Sequence, residues 1–143
     1  MYGNDRSSLR RVFFNAWDKY KQALPLEGIE SILIDIILQH PEYHDVLDDR
    51  DRYLDHDWPP EAGETNPFMH MSMHVSIEEQ LATNSPRGII EHFTRIVETG
   101  IERHEAIHSM MDCLAEAVWK SQRNETSNLE ETYIECLENT GRP

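Results

Sequence analysis

The chain has 143 residues and a formal net charge of −14, from 27 acidic and 13 basic residues. This acidic excess argues against nucleic acid, whose phosphates require a basic face, and against anionic membrane surfaces. No stretch approaches the roughly 18 apolar residues of a membrane span, and the N-terminus lacks the apolar segment of a signal peptide. The sequence therefore predicts a soluble, cytoplasmic protein with a single domain over residues 1–143.

The first part of the chain predicts two apolar helices and a short third one. The first helix runs from Ser7 or Ser8, as its cap, to about residue 24. The second runs over about 26–39 and is the most apolar segment, so we expect it in the core. His40 precedes a proline and is therefore pushed away from helical geometry, which leaves 41–47 as a separate short helix.

Residues 48–65 predict one long irregular loop. The segment is acidic, and Pro59, Pro60 and Gly63 interrupt it. We expect a solvated surface loop there, although a loop of this length can also serve as a lid.

Proline and capping signals predict the remaining helices. Asn66-Pro67 opens a helix to about residue 82, and Ser85-Pro86 opens another that Gly100 ends. A long helix follows over about 101–123, and a capping box at 127–130 begins the last one. No segment shows the two-residue alternation of a strand. The predicted fold is all-α, a compact bundle of five or six helices.

The two cysteines predict free thiols. Cys113 and Cys136 lie inside helical patterns and are not spaced as a CxxC pair. Two such cysteines are more typical of a reducing cytosol than of a disulfide framework.

Six of the eight histidines form three HxxxH pairs. These pairs are His40 and His44, His70 and His74, and His104 and His108. Residues four apart on an α-helix share a face, with Cβ atoms roughly 5–6 Å apart. Neutral imidazole is the commonest protein ligand for transition metals, so the pairs indicate a metal site.

The second and third pairs lie on apolar helix rows, which predicts that they face the interior. The rows continue through Ile77 and Leu81, and through Met111, Ala115 and Val118. Buried imidazoles must satisfy both ring nitrogens, and a shared metal ion does so. Asp112 and Glu116 follow His108 by one and two helical turns. They are candidates for direct ligands or for hydrogen-bond partners of the ligands.

The sequence thus predicts a transition-metal ion, with zinc and iron as the leading candidates. We expect His70, His74, His104 and His108 to bind it, with His40 and His44 completing that site or forming a second one. The neighbouring Met69, Met71 and Met73 suggest copper(I) less than simple packing, because residues next to each other on a helix point in different directions.

Three alternatives stay open at the sequence level. The histidines can form a buried hydrogen-bond network in a non-enzymatic interaction protein, or a pH-sensitive cluster. His104-Glu105-Ala-Ile-His108 also matches the HExxH motif of metal-dependent hydrolases, with Glu125 as a third ligand. The sequence leaves open whether the chain is an enzyme, whether it forms a homodimer, and whether it binds a small molecule or a protein.

Several blocks resemble the motifs of a bacterial family, the domain-of-unknown-function family 1841. The resemblance covers nearly the whole chain and rests on Phe13-Phe-Asn-Ala-Trp-Asp-Lys-Tyr20, His40-Pro-Glu-Tyr-His44, Asn66-Pro-Phe-Met-His-Met-Ser-Met-His74, Glu79-Gln-Leu81, Pro86-Arg-Gly-Ile89 and Met110-Met-Asp-Cys-Leu-Ala-Glu-Ala-Val-Trp-Lys-Ser-Gln-Arg123. The resemblance implies no activity.

The resemblance does rank the candidate residues. It places the three histidine pairs, Glu79 and Glu116 within the family pattern, and it implies an acid at position 112. It implies a variable residue at Glu105 and often a basic one at position 78. By spacing alone, His74-x-x-x-Glu78 with His104-x-x-x-His108 is similar to hemerythrin.

Overall fold

The computed structural model describes residues 2–59, 65–126 and 128–141, with side chains from residue 7 onwards. Over these residues the secondary structure is helical, which confirms the predicted all-α class. The elements are α1 (Tyr2–Lys21), α2 (Glu30–Leu38), a 3-10 helix (Pro41–Tyr43), α3 (His44–Leu47), α4 (Arg50–Tyr53), α5 (Pro67–Thr83), α6 (Ile89–Val97), α7 (Arg103–Gln122) and α8 (Leu129–Asn139).

The described residues contain eight α-helices, so the predicted count of five or six is wrong. The short helix predicted over 41–47 is present as the 3-10 helix followed by α3. The difference includes α4, which has four residues and is too short to show an apolar periodicity in the sequence. The chain divides into two compact units, residues 1–75 and 76–143, and the division falls within α5.

The core of the first unit is built mainly from α1 and α2. The buried side chains are Phe13, Phe14, Ala16 and Trp17 on α1, Leu33, Ile34, Ile36 and Ile37 on α2, and Leu47, Phe68 and Met71 beyond them. The predicted apolar stripe of α1 is correct only in part, because Leu9, Val12 and Tyr20 are 42–47% exposed. The buried face of α1 instead includes Arg10, which is 1% exposed.

Helix α1 also begins earlier than the predicted cap. Ser7 lies inside the helix, and its hydroxyl donates a hydrogen bond of 2.9 Å to Asp55. The prediction that Ser7 or Ser8 caps the helix is therefore wrong, since the hydroxyl of Ser7 is used in a contact distant in sequence.

The predicted loop at 48–65 is partly helical. Helix α4 lies within it, and Asp49 caps α4 by accepting from the backbone N–H of Arg52 at 3.4 Å. The guanidinium of Arg10 donates to three backbone carbonyls at and just after the end of α4. They belong to Tyr53, Leu54 and His56, at 3.2, 3.0 and 2.6 Å. These bonds fix the segment against α1. Residues 60–64 of the predicted loop lie outside the described residues.

The second unit contains α6, α7 and α8. Helix α6 starts at Ile89 rather than at the predicted Ser85-Pro86, and Asn84 accepts hydrogen bonds from the N–H groups of Gly88 and Ile90. Asn128 caps α8 by accepting from the N–H of Glu131 at 2.9 Å. Ser127, the first residue of the predicted capping box, lies outside the described residues.

A disulfide joins Cys113 on α7 to Cys136 on α8, so the prediction of two free thiols is wrong. The two cysteines are 23 positions apart in sequence, and the packing of α7 against α8 brings their Cα atoms to 5.5 Å. That Cα separation is usual for a disulfide. The pairing of the two cysteines depends on this tertiary contact, so it could not be predicted from their spacing in the sequence. The cysteines therefore give no indication of a reducing compartment.

The described helices are too short or too polar for a bilayer: none of them has the combination of length and apolar character that a membrane span requires.

Candidate metal centre

His40 occupies the bend that follows α2. Its backbone is not helical, with φ −127° and ψ 65°, as expected for a residue before proline. The side chain is 1% exposed, so the imidazole is placed in the interior of the first unit. The bend therefore places the polar side chain of His40 in the interior, although the residue follows the end of a helix.

The orientation of His40 is set by the backbone of α2. Its Nδ1 lies 2.7 Å from the carbonyl oxygen of Ile36. A carbonyl can only accept, so Nδ1 carries the proton and the neutral ring has its lone pair on Nε2. Metal-binding histidines are typically held this way, with one nitrogen donating to a carbonyl while the other binds the ion.

The first unit gathers His40 with both histidines of α5. The ring centroids are 4.5 Å apart for His40 and His74, 5.1 Å for His40 and His70, and 5.0 Å for His70 and His74. His74 is 2% exposed, and His70 is partly buried. The predicted four-residue pairing on one helix face is thus confirmed for α5, which begins at Pro67 and runs through both positions.

Ring nitrogens of His40 and His74 lie within 4.8 Å of each other. Two nitrogens that bind one tetrahedral ion at about 2.0–2.1 Å would be about 3.4 Å apart. A side-chain movement of about an ångström therefore brings this pair to bonding geometry, which makes His40 and His74 a candidate two-ligand set.

Tyr43 closes one side of this cluster. Its ring is parallel to that of His40, with centroids 5.4 Å apart, and it lies edge-on to His70 at 6.0 Å. Burial raises the pKa of Tyr43 above its usual value of 10, and the nearby Glu42 carboxylate raises it further. The phenol therefore stays neutral across the physiological pH range.

His44 has different surroundings from His40. Its Nε2 donates to the carbonyl of Ile37 at 2.8 Å, and its ring packs against Trp17 with centroids 4.7 Å apart. Pro41 is the physical reason, because it ends α2 and prevents positions 40 and 44 from sharing one continuous helix. The structure brings His40 to the α5 pair and places His44 against α1.

The second unit carries the third pair, His104 and His108, in the first two turns of α7. Their ring centroids are 4.2 Å apart and both side chains are partly buried. Ring nitrogens of the two residues lie within 4.8 Å of each other. The predicted pairing on one helix face is confirmed here as well, and it makes a second two-ligand set.

The carboxylates predicted near these histidines lie on exposed positions. Asp112 and Glu116 are both exposed, and Glu116 forms an ion pair of 3.2 Å with Lys120. Glu116 is eight residues beyond His108, about 12 Å along the helix axis. That distance places the Glu116 carboxylate too far along α7 to share an ion with His108.

The acids of the hydrolase and hemerythrin-like alternatives are exposed or form ion pairs with arginines. Glu78 pairs with Arg103 at 2.6 Å. Glu105 is exposed, and Glu125 pairs with Arg123 at 2.8 Å beyond the end of α7. Because α7 has 20 residues and is therefore about 30 Å long, Glu125 lies at the opposite end of the helix from His104.

The sequence indicated two contacts of the first unit only in part or not at all. The buried Arg10 fixes the segment after α4, yet nothing in its local pattern distinguishes it from the exposed Arg11. The contact between His40 and His74 joins residues 34 positions apart, and the sequence offered it only as one of two options, a shared site or a second one. The available signal was the proline after His40, which indicated a bend at that position.

The comparisons with known proteins assign a family. The model of the family described as "Domain of unknown function (DUF1841)" matches residues 5–139, nearly the whole chain. Neither a curated protein nor a solved structure matches the chain. The sequence blocks and the family match agree, and the chain belongs to the DUF1841 family.

Proposed function

We propose that this protein binds one transition-metal ion per chain through His40, His74, His104 and His108. Each of these histidines offers one ring nitrogen as a ligand. Zinc is the first candidate, because four nitrogen ligands meet its tetrahedral preference without a carboxylate. Iron is the second candidate, since imidazole also suits it.

The observation that carries the proposal is the pairing of His40 with His74. Both rings are at most 2% exposed, and their nitrogens lie within 4.8 Å of each other. The hydrogen bond from His40 Nδ1 to Ile36 directs the lone pair to Nε2. A cation shared by the two rings would be coordinated by both lone pairs.

The pair on α7 supports the proposal from the second unit. His104 and His108 are held four residues apart by one helix, so little conformational entropy is lost when both bind the same ion. His70 lies beside His40 and His74 and serves as an alternative ligand.

One alternative is a non-enzymatic helical interaction protein with a histidine hydrogen-bond network. The bonds from His40 and His44 to backbone carbonyls favour it, because each gives one imidazole nitrogen a partner within the protein. A metal-dependent hydrolase has less support, since Glu125 lies at the far end of α7. The cytoplasmic location remains a prediction.

Elemental analysis of protein prepared without a histidine tag tests the proposal. The experiment compares the wild-type chain with the double variants His40→Ala/His74→Ala and His104→Ala/His108→Ala, each reconstituted with Zn²⁺ and dialysed. We expect one equivalent of zinc in the wild type and a loss of at least about tenfold in affinity in both double variants.

The matched control is His56→Ala/His92→Ala. These histidines contact Trp58 and Arg95 and lie outside the proposed ligands. The control should keep one equivalent. A wild-type chain that binds no metal would contradict the proposal and leave the hydrogen-bond network. Full affinity in His104→Ala/His108→Ala would show that α7 supplies no ligand.

A further inference from the structure

The two sulfurs of the Cys113–Cys136 disulfide differ in access. Cys113 is 2% exposed, whereas Cys136 is partly exposed and lines an open cavity of about 340 Å³. Glu116 and Lys120 on α7 and Glu135 on α8 contribute to the same cavity. A small molecule that enters this cavity therefore meets the sulfur of Cys136 before that of Cys113.

We propose that this disulfide is a thiol-exchange site, attacked at Cys136 by a small uncharged or cationic thiol that enters the cavity. The proposal is independent of the metal site, since it uses residues of α7 and α8 that bind no metal in that scheme.

The exchange has two balanced steps. The incoming thiolate attacks Cys136 Sγ, so a mixed disulfide forms and the bond to Cys113 Sγ breaks, leaving Cys113 as a thiolate that takes up a proton. A second thiol then attacks the mixed disulfide and releases Cys136 as a thiol. Two thiols are oxidised to one small disulfide, and the protein disulfide gains two electrons and two protons.

Thr140 is placed to stabilise the leaving group. Its Oγ1 lies 3.3 Å from Cys113 Sγ and 2.8 Å from the carbonyl oxygen of Cys136. The hydroxyl has one proton, and it donates that proton to the Cys136 carbonyl while the disulfide is intact. Once Cys113 becomes a thiolate, the hydroxyl can rotate towards it and form a charge-assisted hydrogen bond.

The charges of the cavity select among thiols. A carboxylate oxygen of Glu116 lies 3.5 Å from Cys136 Sγ, and Glu135 adds a second carboxylate against the single ammonium of Lys120. This excess of negative charge repels thiols that carry carboxylates. Thiols without net negative charge should therefore react faster.

Helix α8 has other attachments that keep it in place when the disulfide opens. The hydroxyl of Tyr133 donates to Gln80 at 2.7 Å, and Arg95 donates to the carbonyls of Leu137 and Thr140 at 2.6 and 2.5 Å. Leu137 is fully buried. Exchange can therefore occur in the folded protein.

The test treats the folded wild-type chain with limiting cysteamine, without denaturant, and maps the mixed disulfide by alkylation and peptide mass spectrometry. We expect the adduct on Cys136 in at least about ten times the amount on Cys113, with the helical circular dichroism unchanged. Cys113→Ser should form a mixed disulfide with cystamine at least about tenfold faster than Cys136→Ser.

A charge test and a leaving-group test complete the experiment. Mercaptosuccinate should reduce the wild-type disulfide several-fold more slowly than cysteamine, and Glu116→Gln/Glu135→Gln should narrow that difference. Thr140→Val should slow reduction while leaving the circular dichroism unchanged. Reduction that occurs only in denaturant, or an adduct mainly on Cys113, would overturn the proposal.

Discussion

Arg10 shows how a single buried charge can hold a segment in place. Its guanidinium donates to three backbone carbonyls and lies over the Trp58 ring at 5.0 Å. Hydrogen bonds from a charged donor contribute more to stability than neutral ones do. Removal of the donor leaves the carbonyl oxygens without a hydrogen-bond partner, which costs further free energy. The segment after α4 therefore depends on this residue.

We expect Arg10→Ala to lower the free energy of unfolding by at least about 3 kcal/mol, because three carbonyls lose a charged donor at once. Urea unfolding followed by circular dichroism measures the change. Arg11→Ala is the matched control, since Arg11 is exposed, and it should change stability by less than about 0.5 kcal/mol. Equal effects of the two substitutions would refute this role of Arg10.

Asp48 makes stability depend on pH in the acid range. It accepts from Lys21 Nζ at 2.6 Å and from Trp17 Nε1 at 2.8 Å, and these bonds lower its pKa below the usual 3.8. The folded state thus favours the carboxylate. Its contribution is complete above the unfolded pKa and is lost as the pH falls through the folded one.

Asp48→Asn should therefore lower the urea midpoint near pH 7 and have less effect near pH 3. The loss at neutral pH is at most about 1 kcal/mol, because Asp48 and Lys21 are both about half exposed and solvent screens the pair. Asp45→Asn, at an exposed position nearby, is the control. A difference between Asp48→Asn and wild type that grows as the pH falls would contradict this account.

At the scale of the helices, the long amphipathic elements and the short helix at 41–47 could be predicted, whereas α4 could not. The proline at position 67 and the apolar rows of α5 and α7 predicted both helices within two residues of their ends. Helix α4 has tertiary contacts, such as the bonds from Arg10 to the carbonyls of Tyr53 and Leu54, that no local pattern records. The disulfide also depends on a tertiary contact, the packing of α7 against α8, so the sequence did not predict it.

Asn128 caps α8, and its side chain accepts a hydrogen bond from the N–H of Glu131. Asn128→Ala should lower the free energy of unfolding by about 1 kcal/mol, because that N–H loses its partner. Thermal unfolding measures the change. Asn139→Ala, at the last residue of the same helix, is the control and should have a smaller effect. A larger loss at position 139 would contradict the assignment of the cap.

For the whole molecule, the charge of −14 is the property most relevant to a cation. A negative potential attracts metal ions and speeds their encounter with the protein, and salt screens this attraction. The helical spacing of the apolar residues, together with the composition, correctly predicted the all-α class. Which histidines meet could be predicted only within single helices.

The rate of Zn²⁺ binding should therefore fall as ionic strength rises from about 0.01 to about 0.15 M, because the screening length shrinks from about 30 to about 8 Å. Stopped-flow competition with a fluorescent chelator measures the rate, and the chelator alone provides the correction for its own salt dependence. A rate that does not change with salt would show that the overall charge does not steer the ion.

X-ray absorption at the zinc edge of the reconstituted, tag-free protein tests the metal site most directly. We expect about four nitrogen neighbours at about 2.0–2.1 Å with the outer-shell scattering of imidazole, and a loss of that signal in His40→Ala/His74→Ala. A sulfur shell, or a shell of oxygen without imidazole scattering, would contradict a centre built from these four histidines.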